Sequence, residues 1–311
     1  MTKSRGGCCG GGSNSACVEP TAEEIKKQVR KHYAAAISQV DKTDAPESEG
    51  AHCCSIDASA AAKTGVGHAH ARRAGYTDEE IASIPEHAAA HSFGCGNPLA
   101  FSGVKEGDVV LDLGSGAGID ALLASRKVGP SGHVIGLDMT SEMIEKAEEN
   151  ARRAGATNVE FRLGEMEKMP VDDSSVDWVI SNCVINLSPD KAAVFRETFR
   201  VLKPGGQVLV SDICIGDIDG RVRDELFTWA DCIGGAVDEE TYVDIITRAG
   251  LDDVRIVNRV TYPAEDLRSY FEADKGLTPE ELAARDPLWC HVDHKVSSIR
   301  VYARKVKSGP H

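Results

Sequence analysis

The sequence predicts an α/β fold built on a doubly wound, mostly parallel sheet, and three observations lead to that reading. From Val104 onward short apolar runs alternate with amphipathic stretches and short turns. Most of the runs are almost continuously apolar, as strands covered on both faces are. The first run is followed by Gly114-Ser115-Gly116-Ala117-Gly118 and then a helical stretch, which puts a ligand-binding turn at the carboxyl end of a strand.

The elements follow in order. Residues 1–18 are Gly, Ser and Cys with almost nothing to bury, and read as a flexible Gly/Cys-rich tail. Thr21 and Glu24 make a capping box ahead of Ile25, Val29 and Tyr33, so a helix should run to about Val40. Residues 41–67 are polar and Ala/Gly-rich and carry Cys53 and Cys54, while Tyr76-Thr77-Asp78-Glu79-Glu80-Ile81 begins a second capped helix. Residues 19–103 thus form an N-terminal helical and loop segment that also holds Cys95. Strands are expected at Val109–Leu113, Val134–Leu137, Val159–Leu163, Val176–Ser181 and Gln207–Ser211, the third alternating in polarity like an edge strand. Helices are expected at Asp120–Val128, Ser141–Ala154 and Lys191–Leu202, with Gly155 and Gly205-Gly206 as stop signals. Residues 104–215 form the core, and 216–311 add an insertion, a cap and the last strands. The insertion carries Trp229, Cys232 and Gly234-Gly235, and a helix follows at Glu239–Ala249. Asp253–Thr261 and Ser297–Lys305 complete a seven-stranded sheet, and the charged, helical Tyr262–Val296 between them could cover a site.

Composition narrows the function. The 311 residues are 41% hydrophobic and 27% charged, a globular balance. With 49 acidic against 35 basic side chains the net charge is -14, which argues against nucleic acid and anionic membrane surfaces as partners. No apolar run approaches the roughly 18 residues of a membrane span. The start lacks an apolar signal core, and Thr2 and His311 fit no lipidation signal, so a cytoplasmic protein is expected. The 10 cysteines should then be mostly thiols. No C-x-x-C occurs, so a soft ion could be held only by thiols converging from distant positions.

The glycine turn departs from the dinucleotide fingerprint, because the third glycine comes early at Gly118 and Ile119 holds its place. No Lys-Ser or Lys-Thr follows, which excludes a P-loop. Asp138 closes the second strand, where a carboxylate would accept from both hydroxyls of a ribose. Adenosine without phosphates fits these facts. Asp112-Leu113-Gly114-Ser115-Gly116-Ala117-Gly118 together with Asp138 resembles the S-adenosylmethionine methyltransferase superfamily, over about 200 residues from Val104 to Lys305. That resemblance implies a Rossmann-like methyltransferase fold, ending in an antiparallel strand pair, with S-adenosylmethionine as methyl donor. It implies Asp112, Gly114, Ser115, Gly116 and Gly118 at the methionine part, Asp138 and Met139 at the ribose, Gly164 and Glu165 at the adenine end, and Asn182 beside the donor.

Cys183 follows the fourth strand, at the end where open sheets bind ligands. A lone cysteine there could equally be an inert buried hydrophobe. The chain also holds Phe93-Gly94-Cys95-Gly96-Asn97-Pro98 and Trp229-Ala230-Asp231-Cys232-Ile233-Gly234-Gly235-Ala236. Together with Ser181 to Lys191, Asp138-Met139-Thr140 and Leu202-Lys203-Pro204-Gly205-Gly206, these resemble the arsenite methyltransferases. The resemblance implies that Cys95, Cys183 and Cys232 hold trivalent arsenic, a soft centre that accepts three thiolates and keeps one lone pair. It also implies a fourth thiol, Cys53 or Cys54, that pairs with Cys95 to return arsenic to the trivalent state, with thioredoxin or glutathione as reductant. Arsenite or its thiol conjugates would be the acceptor.

The remaining chemistry-bearing residues read more plainly. Cys214 is a buried small hydrophobe, and Cys8, Cys9 and Cys17 are surface thiols. His68, His70, Glu86, His87, His91, Cys290, His291 and His294 form no complete ligand set at any standard spacing. Two other functions stay open on sequence alone: a methyltransferase for a small organic acceptor with incidental cysteines, and a non-enzymatic, thiol-rich arsenite-binding protein.

Overall fold

The structure, a computed structural model, describes residues 20–40, 75–85, 96–229, 232–272 and 277–306. Cys8, Cys9, Cys17, Cys53, Cys54, Cys95, His68, His70, Glu86, His87 and His91, with the tail and loop expected around them, lie outside the described residues.

Seven strands form one sheet in the order β3-β2-β1-β4-β5-β7-β6. They are β1 Val109–Leu113, β2 His133–Asp138, β3 Val159–Leu163, β4 Val176–Asn182, β5 Leu202–Ile215, β6 Asp252–Tyr262 and β7 Val296–Arg304. The first five run parallel, and β7 is antiparallel to both β5 and β6. The alternating third strand does sit at an edge. The fifth is longer than its apolar run, because β7 pairs with it from Gln207 to Ile215, with Cys214 opposite Ser297 and Ile215 opposite Val296. The insertion therefore leaves the sheet after Ile215.

The helices are α1 Ala22–Val40, α2 Asp78–Ala82, α3 Ile119–Val128, α4 Ser141–Ala154, α5 Lys191–Val201, α6 Gly220–Leu226, α7 Glu239–Arg248, α8 Ala264–Glu272 and α9 Pro279–Arg285. The sequence-level start signals are present as bonds. Thr21 N–H donates to Glu24 Oε2 at 2.8 Å and Thr77 N–H to Glu80 Oε2 at 2.9 Å, while each threonine hydroxyl accepts from the glutamate's N–H. Among the described residues no helix is long and apolar enough to cross a membrane.

The core lies on both faces of the sheet, as a doubly wound fold requires. Leu111, Leu113, Leu137, Val179 and Val208 pack with Phe195 of α5 and Tyr242 and Ile246 of α7. Val110, Val134, Trp178, Ile180 and Leu209 pack with Leu122 and Val128 of α3. Strand order reverses between β1 and β4, where Leu113 is level with Ser181. The glycine turn after β1 and the segment after β4 therefore leave the sheet side by side, at the crevice where open α/β sheets hold ligands.

Asn150 of α4 is fully buried, and its Nδ2 donates to the carbonyl of Ala117 at 2.9 Å, anchoring the glycine turn. Asn150→Ala should leave that carbonyl unsatisfied and lower stability by about 1–3 kcal/mol. Replacement of exposed Glu148 on the same helix should stay within about 0.5 kcal/mol. Urea unfolding of the two variants checks the difference.

Candidate active site

A cavity opens at the crevice between β1 and β4, walled by the glycine turn, the end of β2, the segment after β4 and one face of α1. Gly114 sits at φ 66°, in the left-handed region, and a Cβ built on it would come within 2.3 Å of Val184 Cγ2. The turn that faces the cavity and the chain that follows Cys183 are thus in direct contact, which only glycine at 114 allows.

The wall is rich in carboxylates. Asp138 Oδ2 accepts from Gly116 N–H at 3.0 Å and its Oδ1 from Thr140 N–H at 2.9 Å. Asp120 Oδ1 accepts from Tyr76 Oη at 2.8 Å and Oδ2 from Asn182 Nδ2 at 3.1 Å. Asp112 Oδ2 and Ser115 Oγ are buried with no hydrogen-bond partner. Burial raises the pKa of all three acids. It lifts Asp112 well above the usual carboxylate range, helped by the charges of Asp120 and Asp138. It lifts Asp120 to about 6 against the hydrogen bonds from Tyr76 and Asn182, and it raises Asp138 against backbone donors. Three crowded carboxylates favour a positively charged guest, whose presence would relieve both their desolvation and their mutual repulsion.

Helix α1 supplies Lys26, Val29 and Tyr33 to the wall. Lys26 Nζ lies 2.8 Å from Glu165 Oε2 and 3.4 Å from Glu167 Oε1, and Arg30 lies 3.3 Å from Glu165 Oε1. The Glu165 carboxylate is thereby turned to α1, and Gly164, Met166 and Glu167 face the cavity instead. Gly118 is also off the wall; it precedes α3 and packs against the Phe161 ring. Asp112, Gly114, Ser115, Gly116, Asp138, Met139 and Asn182 all line the cavity.

Cys183 lines the same cavity, whereas Cys232, from the insertion, is off its wall and touches two residues that line it. The Cys232 thiol donates to the Cys183 carbonyl at 2.9 Å, and Tyr33 Oη lies 3.9 Å from Cys232 Sγ. Both cysteines hold left-handed backbone, φ 63° and 60°. Such strain in a residue other than glycine persists only where its surroundings enforce it, and it clusters at functional sites. Here the enforcement is apolar: Cys183 and Cys232 are buried among Leu187, Ile213, Phe227, Ile233 and Trp289. Cys183 is disulfide-bonded. Cys214 is fully buried, and burial beside Asp212 pushes its thiol far up. Cys290 is exposed. Among the described residues no group of three or more His, Cys, Asp or Glu is placed to hold a metal ion.

The sequence did not mark Tyr76, Asp120, Lys26 or Tyr33 as site residues. A signal existed for the last two, because Lys26, Val29 and Tyr33 at helical spacing share one face of α1. Tyr76 and Asp120 carried none, since one looked like a helix flank and the other like the first residue of α3.

A family model described as a methyltransferase domain matches residues 104–250. An arsenite methyltransferase of Halobacterium salinarum is 41% identical over 260 residues, 82% of this chain and 64% of that protein. The human arsenite methyltransferase is 36% identical over 201 residues, 61% of this chain and 53% of its own length. The chain thus spans between about half and two thirds of these relatives. A solved arsenic(III) S-adenosylmethionine methyltransferase from Chlamydomonas reinhardtii superposes with a TM-score of 0.58 at 32% identity, covering 74% of this chain and 72% of that one.

The carboxylate wall has a pH signature. Burial lifts Asp120 to about 6, so its contribution to affinity for a cationic ligand should be present above that pH and fall as the pH drops through it. Near pH 6, binding of S-adenosylmethionine should release protons, read by calorimetry in two buffers of different ionisation enthalpy. Asp120→Asn should release fewer protons, those from Asp112 and Asp138 remaining, and should bind about tenfold more weakly. Equal proton release in the variant and the parent protein would remove Asp120 from the site.

Proposed function

The chain belongs to the arsenite S-adenosylmethionine methyltransferase family, and on that premise we propose that it transfers methyl groups from S-adenosylmethionine to thiolate-bound trivalent arsenic. The observation that carries the reading is the pairing of Cys232 with Cys183 at 2.9 Å, thiol to carbonyl, with Cys183 on the wall of a carboxylate-rich cavity. A methyltransferase for an organic acceptor has no use for two strained, buried cysteines at that place.

The cavity fits the donor. The unpartnered Asp112 Oδ2 and Ser115 Oγ suit its methionine amino and carboxylate groups, and Asp138 at the end of β2 suits its ribose. When bound, the donor supplies a methyl group on a positively charged sulfur. Asp112, Asp120 and Asp138 favour that charge, and Gly114 lets the donor turn approach Val184 and hence the thiol segment. Cys183 and Cys232, with Cys95, hold arsenic as substrate and keep its lone pair toward the methyl. The surrounding apolar residues exclude water, and no general base is required because arsenic attacks with a lone pair. Proximity and orientation carry the rate, with a ceiling of roughly 7–11 kcal/mol.

Each transfer forms an As–C bond, breaks an S–C bond and leaves arsenic formally two electrons poorer. A pair of protein thiols can return those electrons by closing to a disulfide, with Cys53 or Cys54 and Cys95 as the proposed pair. The disulfide at Cys183 supports a thiol-cycling site, and it must open before Cys183 can ligate arsenic. A thioredoxin- or glutathione-class reductant is the proposed source of electrons, which favours a reducing cytoplasm. Residues 104–215 would carry the donor and 216–311 the third arsenic ligand and cap.

Replacing Cys183 or Cys232 with Ser substitutes a hard oxygen for a soft thiolate. Either variant should lose arsenite methylation, at least a hundredfold, and keep its affinity for S-adenosylhomocysteine. X-ray absorption of the reduced wild-type protein with arsenite should find three sulfur neighbours around arsenic. Two, or none, would overturn the three-thiol site.

A further inference from the structure

Buried Tyr76 and Asp120 and half-buried Asn182 form a hydrogen-bonded unit whose bonds to one another the proposed methyl transfer does not by itself require. Tyr76 comes from the segment ahead of the core, Asp120 from the first turn of α3, and Asn182 from the last position of β4. Tyr76 Oη donates to Asp120 Oδ1 at 2.8 Å. The Asn182 amide shares its two protons among Tyr76 Oη at 3.0 Å, Asp120 Oδ2 at 3.1 Å and the Gly96 carbonyl at 2.5 Å. Its Oδ1 accepts from Gly96 N–H at 3.1 Å, so one side chain grips both backbone groups of Gly96 as a neighbouring strand would.

All three side chains line the donor cavity, and Asn182, held by Tyr76 and Asp120, in turn holds Gly96, which does not line it. Gly96 also has no room to shift sideways, since a Cβ there would come within 2.6 Å of Ser211 Oγ. The next residue, Asn97, donates from Nδ2 to Glu80 Oε2 at 3.0 Å and accepts from Ala100 N–H at 3.0 Å, so the hold on Gly96 extends back to α2 and forward into the turn that follows. Gly96 directly follows Cys95 in the chain.

We propose that Tyr76, Asp120 and Asn182 are positioning residues that couple donor binding to the seating of the Gly96 segment. The proposal rests on the cavity being the donor site. A cationic guest favours the Asp120 carboxylate, which tightens its bonds from Tyr76 and Asn182 and orients the amide that holds Gly96. Coupling of this kind is reciprocal: whatever unseats Gly96 must weaken the donor by the same factor that the donor strengthens the seat.

The test uses the full chain and S-adenosylhomocysteine or S-adenosylmethionine alone, without arsenic. In the wild-type protein the donor should slow amide hydrogen exchange over residues 96–101 several-fold. Tyr76→Phe keeps the buried ring and removes the hydroxyl, and Asp120→Asn is nearly isosteric, so both should fold. Both should bind donor and lose that slowing. Gly96→Ala should weaken S-adenosylmethionine about 5-fold or more in the wild-type background and add nothing in the Tyr76→Phe background. Undiminished slowing in both variants, or additive losses of affinity, would overturn the coupling and leave the donor site intact. Failure of the wild-type protein to bind either compound would overturn the donor site, and the coupling with it.

Discussion

Two missing side chains let three distant stretches of sequence meet. The bare Cα of Gly114 admits Val184, so the turn after β1 touches the segment after β4. The bare Cα of Gly235 admits the Asn186 carbonyl, where a Cβ would lie only 2.0 Å away. The insertion that carries Cys232 is thereby pressed onto the same segment from the other side. Everything else at the site presupposes these contacts, including the bond from the Cys232 thiol to the Cys183 carbonyl. The left-handed backbone at both cysteines costs about 1–3 kcal/mol each. It is sustained because the cluster around Phe227, Ile233 and Trp289 leaves those residues little alternative.

Buried charge falls into two groups with different consequences. Behind the Ile185–Leu187 turn, Lys191 Nζ donates to the Asn186 carbonyl at 3.3 Å and the Ser188 carbonyl at 3.2 Å. Asp212 accepts from Tyr242 Oη at 3.0 Å. Burial lowers Lys191 to about 8 and raises Asp212 to about 7, each partly offset by the other's charge. This group is satisfied internally and holds the turn in place. Among the described residues the carboxylates of the cavity wall have no such cation. Lys26, the cation that α1 brings to the wall, is engaged with Glu165 and Glu167. One group is architecture, and the other is unmet demand for a ligand.

Much of this could be read from the sequence because the signals were local. Strand runs buried on both faces, capping boxes at Thr21 and Thr77, and the Gly114–Gly118 turn each declare themselves within a few residues. The glycine turn and Asp138 together located the cavity, since a strand order that reverses after β1 leaves one place for a ligand. What escaped was non-local. The length of β5 depends on β7, which arrives some 80 residues later. The turning of Glu165 to α1 depends on Lys26 and Arg30, and the importance of Tyr76 depends on Asp120 and Asn182. No spacing rule connects these residues, because they are neighbours only after the sheet has assembled. Cys183 and Cys232 were marked by a family resemblance, whereas the strain that sets them apart from Cys214 is visible only in the fold.

The division of the site into a carboxylate half and a thiol half has a consequence for how two unlike reactants are told apart. Under the proposed reaction, arsenite, an uncharged hydroxide near neutral pH, would gain little from the carboxylate wall, and its affinity would have to come from sulfur. A sulfonium compound gains little from thiols and much from the wall, where Asp112 and Asp120 are penalised until a cation arrives. Each proposed reactant would thus be rejected by the other's half through mismatch of charge and softness rather than through shape. Val184, packed on Gly114 and adjacent to Cys183, lies at the seam. In the proposed reaction, a side chain there that can neither ionise nor ligate would keep the two chemistries apart while letting the two walls touch.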